Sequence, residues 1–455
     1  MKKNTIKIVL FLFAPVLLFA QEWNGFVEFG LSPKFTENKQ ILSPLGQPGN
    51  GQYYALGEQR LQLKFEHSSD KGELFFKVDF VNDNVLENSV LNIREAYFTT
   101  TPAEWMDVKI GRQIQTWGVG DLMFINDVFS KDWISFFSGR QDEYLKAPSD
   151  AVRLSLFPEI PLFEAIDISL MPYSHSDINL MTEGRFASVN PSMLQLIENR
   201  WLMPTQATSK EWKNVEVAAR FQMQTIKGFT TSLYAYKGRW NNPTAMSFDP
   251  QAFTFSPYFS ELQVYGASSR GAALGGILSL ESGYYYSEED KYGDNPLVPN
   301  SSLRYLALYE RSLTTTLDLG VQYYGEQIQD FAMVEDNYKL LLAGNMQLMD
   351  GEALKDEMRH LVTLRLTKKM MNETLWLTWF SYFSPSDQDY FFRPRLSYEY
   401  SDQIRFVVTA NILGAYGDND DDKNLKDNIF PDYHNTMFGQ FKDDSNINFT
   451  ARYIF

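Results

Sequence analysis

The sequence predicts an all-β chain, a transmembrane antiparallel β-barrel of about 18 strands with short turns at one end and longer loops at the other. Three observations predict it. Apolar and polar residues alternate with period two from residue 23 onward. Short and generally longer connections alternate along the chain. An export-type leader stands at the front, and the chain closes on an aromatic strand.

The alternation is the primary signal. Leu61, Leu63 and Phe65 interleave with Arg60, Gln62, Lys64 and Glu66. Phe76, Val78 and Phe80 interleave with Lys77 and Asp79. The same pattern carries Val152, Leu154 and Leu156, then Val217 to Met223, then Ile404 to Ile412. In a soluble sandwich such strands turn the apolar face to a core. In a membrane barrel the sense is inverted, with lipid outside and a polar lumen inside. Two features favour the barrel. The polar face is rich in Arg, Lys, Glu and Gln. The strands also run about ten to fifteen residues, against ~5–6 in globular sheets and ~9–11 for a tilted transmembrane strand.

The expected strands are 23–35, 54–69, 71–85, 89–102, 105–118, 148–160, 163–175, 215–226, 228–240, 257–268, 275–287, 302–312, 314–326, 358–369, 373–383, 390–400, 403–416 and 445–455. Sixteen is the alternative count. The weakest pair is 257–287, which Gly266, Gly271, Gly275 and Gly276 dilute. Long connections centre on 36–53, 119–147, 176–214, 241–256, 288–301, 327–357 and 417–444, while those near 86–88 and 384–389 are shorter. An unpaired backbone edge is not viable in hydrocarbon, so 447–455 must pair with 25–31 to close the barrel.

Residues 1–20 read as a signal peptide, with Lys2, Lys3 and Lys7 before the apolar run Ile8 to Phe19 and cleavage after Ala20. A membrane-anchor helix is the alternative, but the run is shorter than the ~20 residues a span needs. Residues 21–455 then form a single barrel domain with no separate plug domain. The terminal Tyr453-Ile454-Phe455 resembles the C-terminal signature of outer-membrane proteins. That resemblance implies a bacterial outer-membrane location, with the barrel assembly machinery as a partner through Phe455. Lipid is the other expected partner. The net charge of -16 argues against nucleic acid.

One segment stands out: Arg94-Glu95-Ala96-Tyr97-Phe98, then Gly111-Arg112-Gln113, then Trp117-Gly118. It resembles a stretch of porin-like outer-membrane barrels, including relatives of the alginate-export group, over about fifty residues. The resemblance implies a channel of about eighteen strands for small polar solutes or anionic saccharides. Read from its residues, the segment poses a problem. Arg112 shares the parity of Val108, Ile110 and Ile114, which look lipid-facing. A charge there costs roughly 2–4 kcal/mol at the bilayer midplane. A bulge at Gly111 would turn Arg112 into the lumen. Snorkelling near the interface is the alternative.

Two groups are candidates for function. The first is the lumen ladder of Arg60, Lys64, Lys77, Arg94, Arg112, Arg153, Arg220, Arg304, Arg359, Arg365, Arg393, Arg395, Arg405 and Arg452. It interleaves with Glu66, Asp79, Glu95, Asp167, Glu216, Glu310, Asp318 and Glu399. Charged rings set selectivity in pores, and inward Arg–Glu pairs also hold barrels together. Arg393 and Arg395, two apart on one strand, are the favoured anion contact.

The second group is the loop 119–147. It carries Asp121, Asp127, Lys131, Asp132, Arg140, Asp142, Glu143 and Lys146 among Phe124, Phe129, Trp133, Phe136 and Phe137. By analogy with porins, whose third loop folds inward, it is expected to narrow the lumen, with Asp121, Asp127, Asp132 and Arg140 at the constriction. A lid on the rim is the alternative.

An enzyme is not expected. The histidines His67, His175, His360 and His434 have no metal spacing, a nucleophile elbow is missing, and cofactor fingerprints are absent. The acidic run Asp418 to Asp422 lacks the glycine and distal glutamate of a calcium loop. Loop helices are expected from Asn190-Pro191 and over Tyr338 to Met349. The expected function is diffusion of a small polar, anionic solute through the barrel. The rivals are a filled-lumen adhesin or scaffold and an outer-membrane hydrolase. The oligomeric state is left open.

Overall fold

The computed structural model describes residues 23–38, 41, 49–172, 176–180, 184–186, 202–209, 211–226, 228–343, 356–416 and 437–455. The expected leader, the acidic run 418–422 and the helix expected from Asn190 lie outside the described residues.

The first nine strands are β1 (Trp23–Pro33), β2 (Tyr54–Ser69), β3 (Gly72–Asp83), β4 (Asn88–Ala103), β5 (Met106–Gln113), β6 (Ser149–Leu156), β7 (Phe163–Met171), β8 (Glu216–Ile226) and β9 (Phe229–Arg239). A small hairpin, β10 (Ala245–Asp249) and β11 (Thr254–Tyr258), stands apart from the main sheet. The remaining strands are β12 (Glu261–Ala273), β13 (Gly276–Ser287), β14 (Ser302–Thr314), β15 (Leu317–Ile328), β16 (Met358–Met370), β17 (Leu375–Ser384), β18 (Asp389–Glu399), β19 (Ile404–Ala415) and β20 (Asn446–Ile454). Setting β10 and β11 aside, every strand pairs antiparallel with its neighbours in the chain. The sheet has 18 strands. It closes where β1 meets β20, with Glu28 opposite Arg452 and Leu31 opposite Phe449. Closure leaves no open edge.

The burial pattern is inside out for a soluble protein. Phe29 is 57% exposed and its neighbour Glu28 only 3%. Phe449 is 47% exposed, whereas Asn448 is fully buried. Arg60 and Asp79 are buried while Leu91, Val152, Leu233 and Phe406 are exposed. A wall that turns apolar side chains out over its whole circumference, and charges in, is a transmembrane barrel.

Local structure departs from expectation in four places. First, β5 and β6 end early. Residues 114–118, expected to continue the strand, leave the wall, and Trp117 is buried. Second, the weak pair 257–287 is real but shifted. Residues 254–258 belong to the loop hairpin, and the wall strand starts at Glu261. Its glycines have a packing reason. A Cβ on Gly266 would lie 1.7 Å from Oδ1 of Asn126, and one on Gly283 would lie 2.6 Å from Ile125. Both are needed where another segment presses against the wall. Third, the loop helix α2 (Phe331–Ala343) begins seven residues before Tyr338.

The fourth departure concerns Arg112. The pairing of β5 runs unbroken through Gly111 on both sides. The bulge lies instead in the partner strand. Lys77 faces Glu95 and Val78 faces Ile93, so Arg94 is the extra residue. That extra residue lets Arg94 and Glu95 both point inward. Arg112 keeps the parity of Ile110 and faces outward, where it pairs with Asp150 at 2.8 Å. The expectation of Arg112 as a pore-lining residue is therefore corrected. Neutralisation by Asp150, rather than a change of register, makes its position tenable.

Candidate functional site

The connection from β5 to β6 folds into the lumen and follows the inner wall. A short helix, α1 (Trp133–Ser138), gives it a rigid centre. Asp132 caps the helix by accepting from the Ser135 N–H at 2.8 Å, and Gly139 ends it at a left-handed φ of 87°. A Cβ on Gly139 would also lie 2.5 Å from Cβ of Asn448, so close approach to the wall requires glycine here.

Contacts to the wall occur strand by strand. Glu281 on β13 accepts from the Val119 N–H at 2.7 Å and the Gly120 N–H at 3.2 Å. It also accepts from the Asn126 N–H at 2.7 Å and Nδ2 at 2.9 Å. Gln322 on β15 exchanges two hydrogen bonds with the Asp121 backbone. Arg365 on β16 grips the Asp121 carboxylate at 2.6 and 2.8 Å, a bidentate pair. The hydroxyls of Tyr285 and Tyr382 donate to the carbonyls of Ile125 and Leu122.

The tip of the segment rests on the seam where the barrel closes. Asn411 on β19 and Asn446 on β20 both donate to the Phe137 carbonyl, at 2.9 and 3.0 Å. Arg140 pairs with Glu58 on β2 at 2.8 Å. Asp142 receives Arg393 at 2.7 Å and Arg395 at 3.2 Å, both from β18. Glu143 lies 3.4 Å from Arg452 on β20. Tyr144 accepts from Gln62 and is flanked by the guanidiniums of Arg60, 4.2 Å away, and Arg94, 4.8 Å away. Apolar packing completes the fit. Phe136 and Phe137 meet Phe391 at 5.6 and 5.4 Å between ring centroids, and Trp117 meets Phe129 at 5.0 Å.

Within the segment, Asp127 binds the buried ammonium of Lys131 at 3.1 Å and that of Lys146 at 3.0 Å. Desolvation raises the Asp142 carboxyl, but the Arg393 and Arg395 guanidiniums overrule it and hold the group at about 2. Burial pushes the Asp177 carboxyl up, although it accepts from the Lys131 N–H and from Trp133 Nε1.

The structure places the sequence candidates as follows. Arg60, Lys64, Lys77, Arg94, Arg153, Arg220, Arg304, Arg359, Arg365, Arg393, Arg395, Arg405 and Arg452 face inward. Arg60 pairs with Glu58 and Asp79, and Lys77 with Glu95. Lys64 pairs with Glu66, Arg405 with Glu399, and Arg304 with Glu326. Asp121, Asp127, Asp132 and Arg140 share one segment but do not form one ring. Asp121 and Arg140 reach the wall, whereas Asp127 and Asp132 serve the fold of the segment. Arg393 and Arg395 hold Asp142 and are not bare. Sequence reasoning missed Glu58, Glu281, Gln322 and Asn446. Glu58 shares the parity of Arg60 and Gln62, and that signal could have found it. Among the described residues no cluster of metal-ligating side chains is present.

Structural comparison finds porins of Rhodopseudomonas blastica. A mutant porin of that source aligns at a TM-score of 0.39 and 10% identity, over 95% of this chain and 99% of that one. A triple mutant gives 0.39 and 11% over the same shares, and a third mutant gives 0.40 and 10%. Scores this low leave the fold to rest on the strand pairing of the chain itself. No protein-family model and no curated protein matches the sequence.

Proposed function

We propose that this chain is a bacterial outer-membrane channel for diffusion of small polar solutes, narrowed by the segment 114–148. The single observation that carries the reading is the course of that segment through the lumen, pinned by polar contacts to strands from β2 to β20. A polar, charged interior is what a water-filled path uses. In this reading the short turns face the periplasm and the long loops face outward. The outward-facing apolar wall takes lipid as its partner. The exposed Phe455, whose N–H donates to Gly25 O at 3.0 Å, is the handle for barrel assembly.

Anion preference is part of the proposal. It is supported by pairs in which the cation meets the lumen and the carboxylate stands behind it. Arg153 and Arg220 are 33% and 22% exposed, against 2% for their shared partner Asp167. A second reading, a filled barrel used as a scaffold, draws on the aromatic packing of Phe136, Phe137 and Phe391.

Planar-bilayer recording of purified protein tests both. Discrete conductance steps that grow on deletion of residues 122–144 are expected. Steps from the deletion alone would assign a closed lumen. Conductance unchanged by the deletion would refute the constriction, and no steps from either protein would refute the channel.

A further inference from the structure

We propose that a groove on the outer wall, across the closing seam, holds one acyl chain of an outer-leaflet lipid and grips its ester or amide carbonyl with Gln59 and Asn84. This rests on the reading of the chain as an outer-membrane barrel whose long loops face outward.

The groove runs over β19, β20, β1 and β2 and has a volume of about 470 Å³, within the ~300–1,000 Å³ of small-molecule sites. Its walls are the exposed rings and side chains of Phe29, Leu31, Phe406 and Phe449. Its floor is low because Gly57 and Ala451 stand between them. Glycine inside a strand weakens it and marks a place where something comes close. Neither backbone nor packing requires glycine at position 57. Its φ is not positive, and an added Cβ would meet Val85 at 3.4 Å and Asn84 at 3.8 Å, both ordinary contacts. What Gly57 does is leave the groove open.

One side of the groove is polar, although it belongs to the outward face. Phe29 lies opposite Gln59, Gln59 opposite Asn82 and Asn82 opposite Ser89, and residues directly opposite share a face. These side chains satisfy one another in part. Asn82 Nδ2 donates to Gln59 Oε1 at 2.6 Å and to Asn84 Oδ1 at 3.4 Å, and Ser89 Oγ donates to Asn82 Oδ1 at 2.9 Å. The acceptors are thereby used. The amide groups Gln59 Nε2 and Asn84 Nδ2, both beside the groove, make no hydrogen bond among the described residues. A donor turned toward hydrocarbon is costly unless an acceptor meets it. Of the residues along the groove only Glu58 is charged, and its side chain points into the lumen, where it pairs with Arg140. An apolar trough with two uncharged donors at its edge matches a hydrocarbon chain that ends in a neutral carbonyl.

The test is native mass spectrometry of the detergent-solubilised full-length barrel titrated with lipid A, whose acyl chains are joined through ester and amide carbonyls. One lipid A per chain is expected to survive removal of the detergent. Gly57→Leu fills the floor and is expected to weaken retention about tenfold, as when about two methylenes lose their contacts. Asn84→Ala, at an exposed site, is expected to weaken it severalfold and keeps the test open should Gly57→Leu fail to fold. Ala267→Leu, in the outward row of Leu233 on β9, is expected to leave it unchanged. Folding of each variant is read from its resistance to heat on gels. Wild-type retention in folded Gly57→Leu and Asn84→Ala, or equal loss in Ala267→Leu, would overturn the groove. Masses of paired chains in place of lipid adducts would assign the groove to a second copy and overturn the lipid. Failure of the wild type to float with phosphatidylethanolamine vesicles would refute the membrane reading itself, whereas a barrel that floats and binds lipid A without regard to Gly57 or Asn84 would refute the groove alone.

Discussion

Replacing Glu281 by Gln keeps the volume of the side chain and removes its charge, so it isolates hydrogen bonding from packing. In the native protein the two carboxylate oxygens accept four bonds from the segment, at 2.7, 3.2, 2.7 and 2.9 Å. Glutamine presents one oxygen and one amide group. Two donors then meet an N–H instead of an acceptor. Each such charged bond is worth roughly 1.5–3 kcal/mol, and the two that survive drop to about 1 kcal/mol each. The loss from docking is about 4–10 kcal/mol, enough to shift the bound population at least several hundredfold. The wall strands keep their own ladders, so the barrel persists and the segment comes free. Two assays read this. Trypsin cleavage at Lys131, Arg140 and Lys146 is expected to appear in Glu281→Gln and not in the wild type. Conductance in bilayers is expected to rise toward that of the 122–144 deletion. Protection from trypsin together with wild-type conductance would show that Glu281 does not hold the segment.

Two further outcomes follow from named contacts. Although 43% of the Asp142 side chain meets solvent, its carboxyl is held at about 2, below the ~3.9 of a free aspartate. Its contribution to docking is complete above pH ~4 and is lost as pH falls from there toward 2. Trypsin-independent readouts of docking, such as channel conductance, should stay flat from pH 7 to 4.5 and change below pH 3.5, whereas an Asp142→Asn variant should lose that step. Replacing Arg112 and Asp150 together by Leu should leave the reversal potential in a salt gradient unchanged and the thermal stability equal or raised, because the pair faces outward. A shifted reversal potential would place Arg112 in the lumen after all.

The barrel was legible because each wall residue answers to one of two solvents, and a strand reports that choice at every second position. The β1–β20 closure followed from the same rule. What sequence could not reveal is where a third environment, the folded-in segment, replaces water. Gly266 and Gly283 weaken the strand pattern because Asn126 and Ile125 occupy the space their side chains would take. Residues 114–118 keep an alternating look yet turn inward, since Trp117 finds Phe129 and Tyr234 there. Arg112 misled because parity alone carries no information about a partner on the next strand, and Asp150 lies 38 residues away. Arg393 and Arg395 were legible as lumen residues, but their engagement by Asp142 depends on tertiary folding across some 250 residues of chain.

The tip of the inward segment lies on β18, β19, β20 and β2, on both sides of the closing seam. Those strands come from opposite ends of the polypeptide, and the segment itself is made early. The order of assembly is thereby constrained. The seat of residues 137–144 is complete only once β20 has met β1, because it takes partners from both sides of that seam. Asn446 and Glu58 then find their partners only at closure. Full docking of the inward segment thus depends on the slow, non-local step of forming the barrel, and an unformed seam leaves its tip without half of its partners.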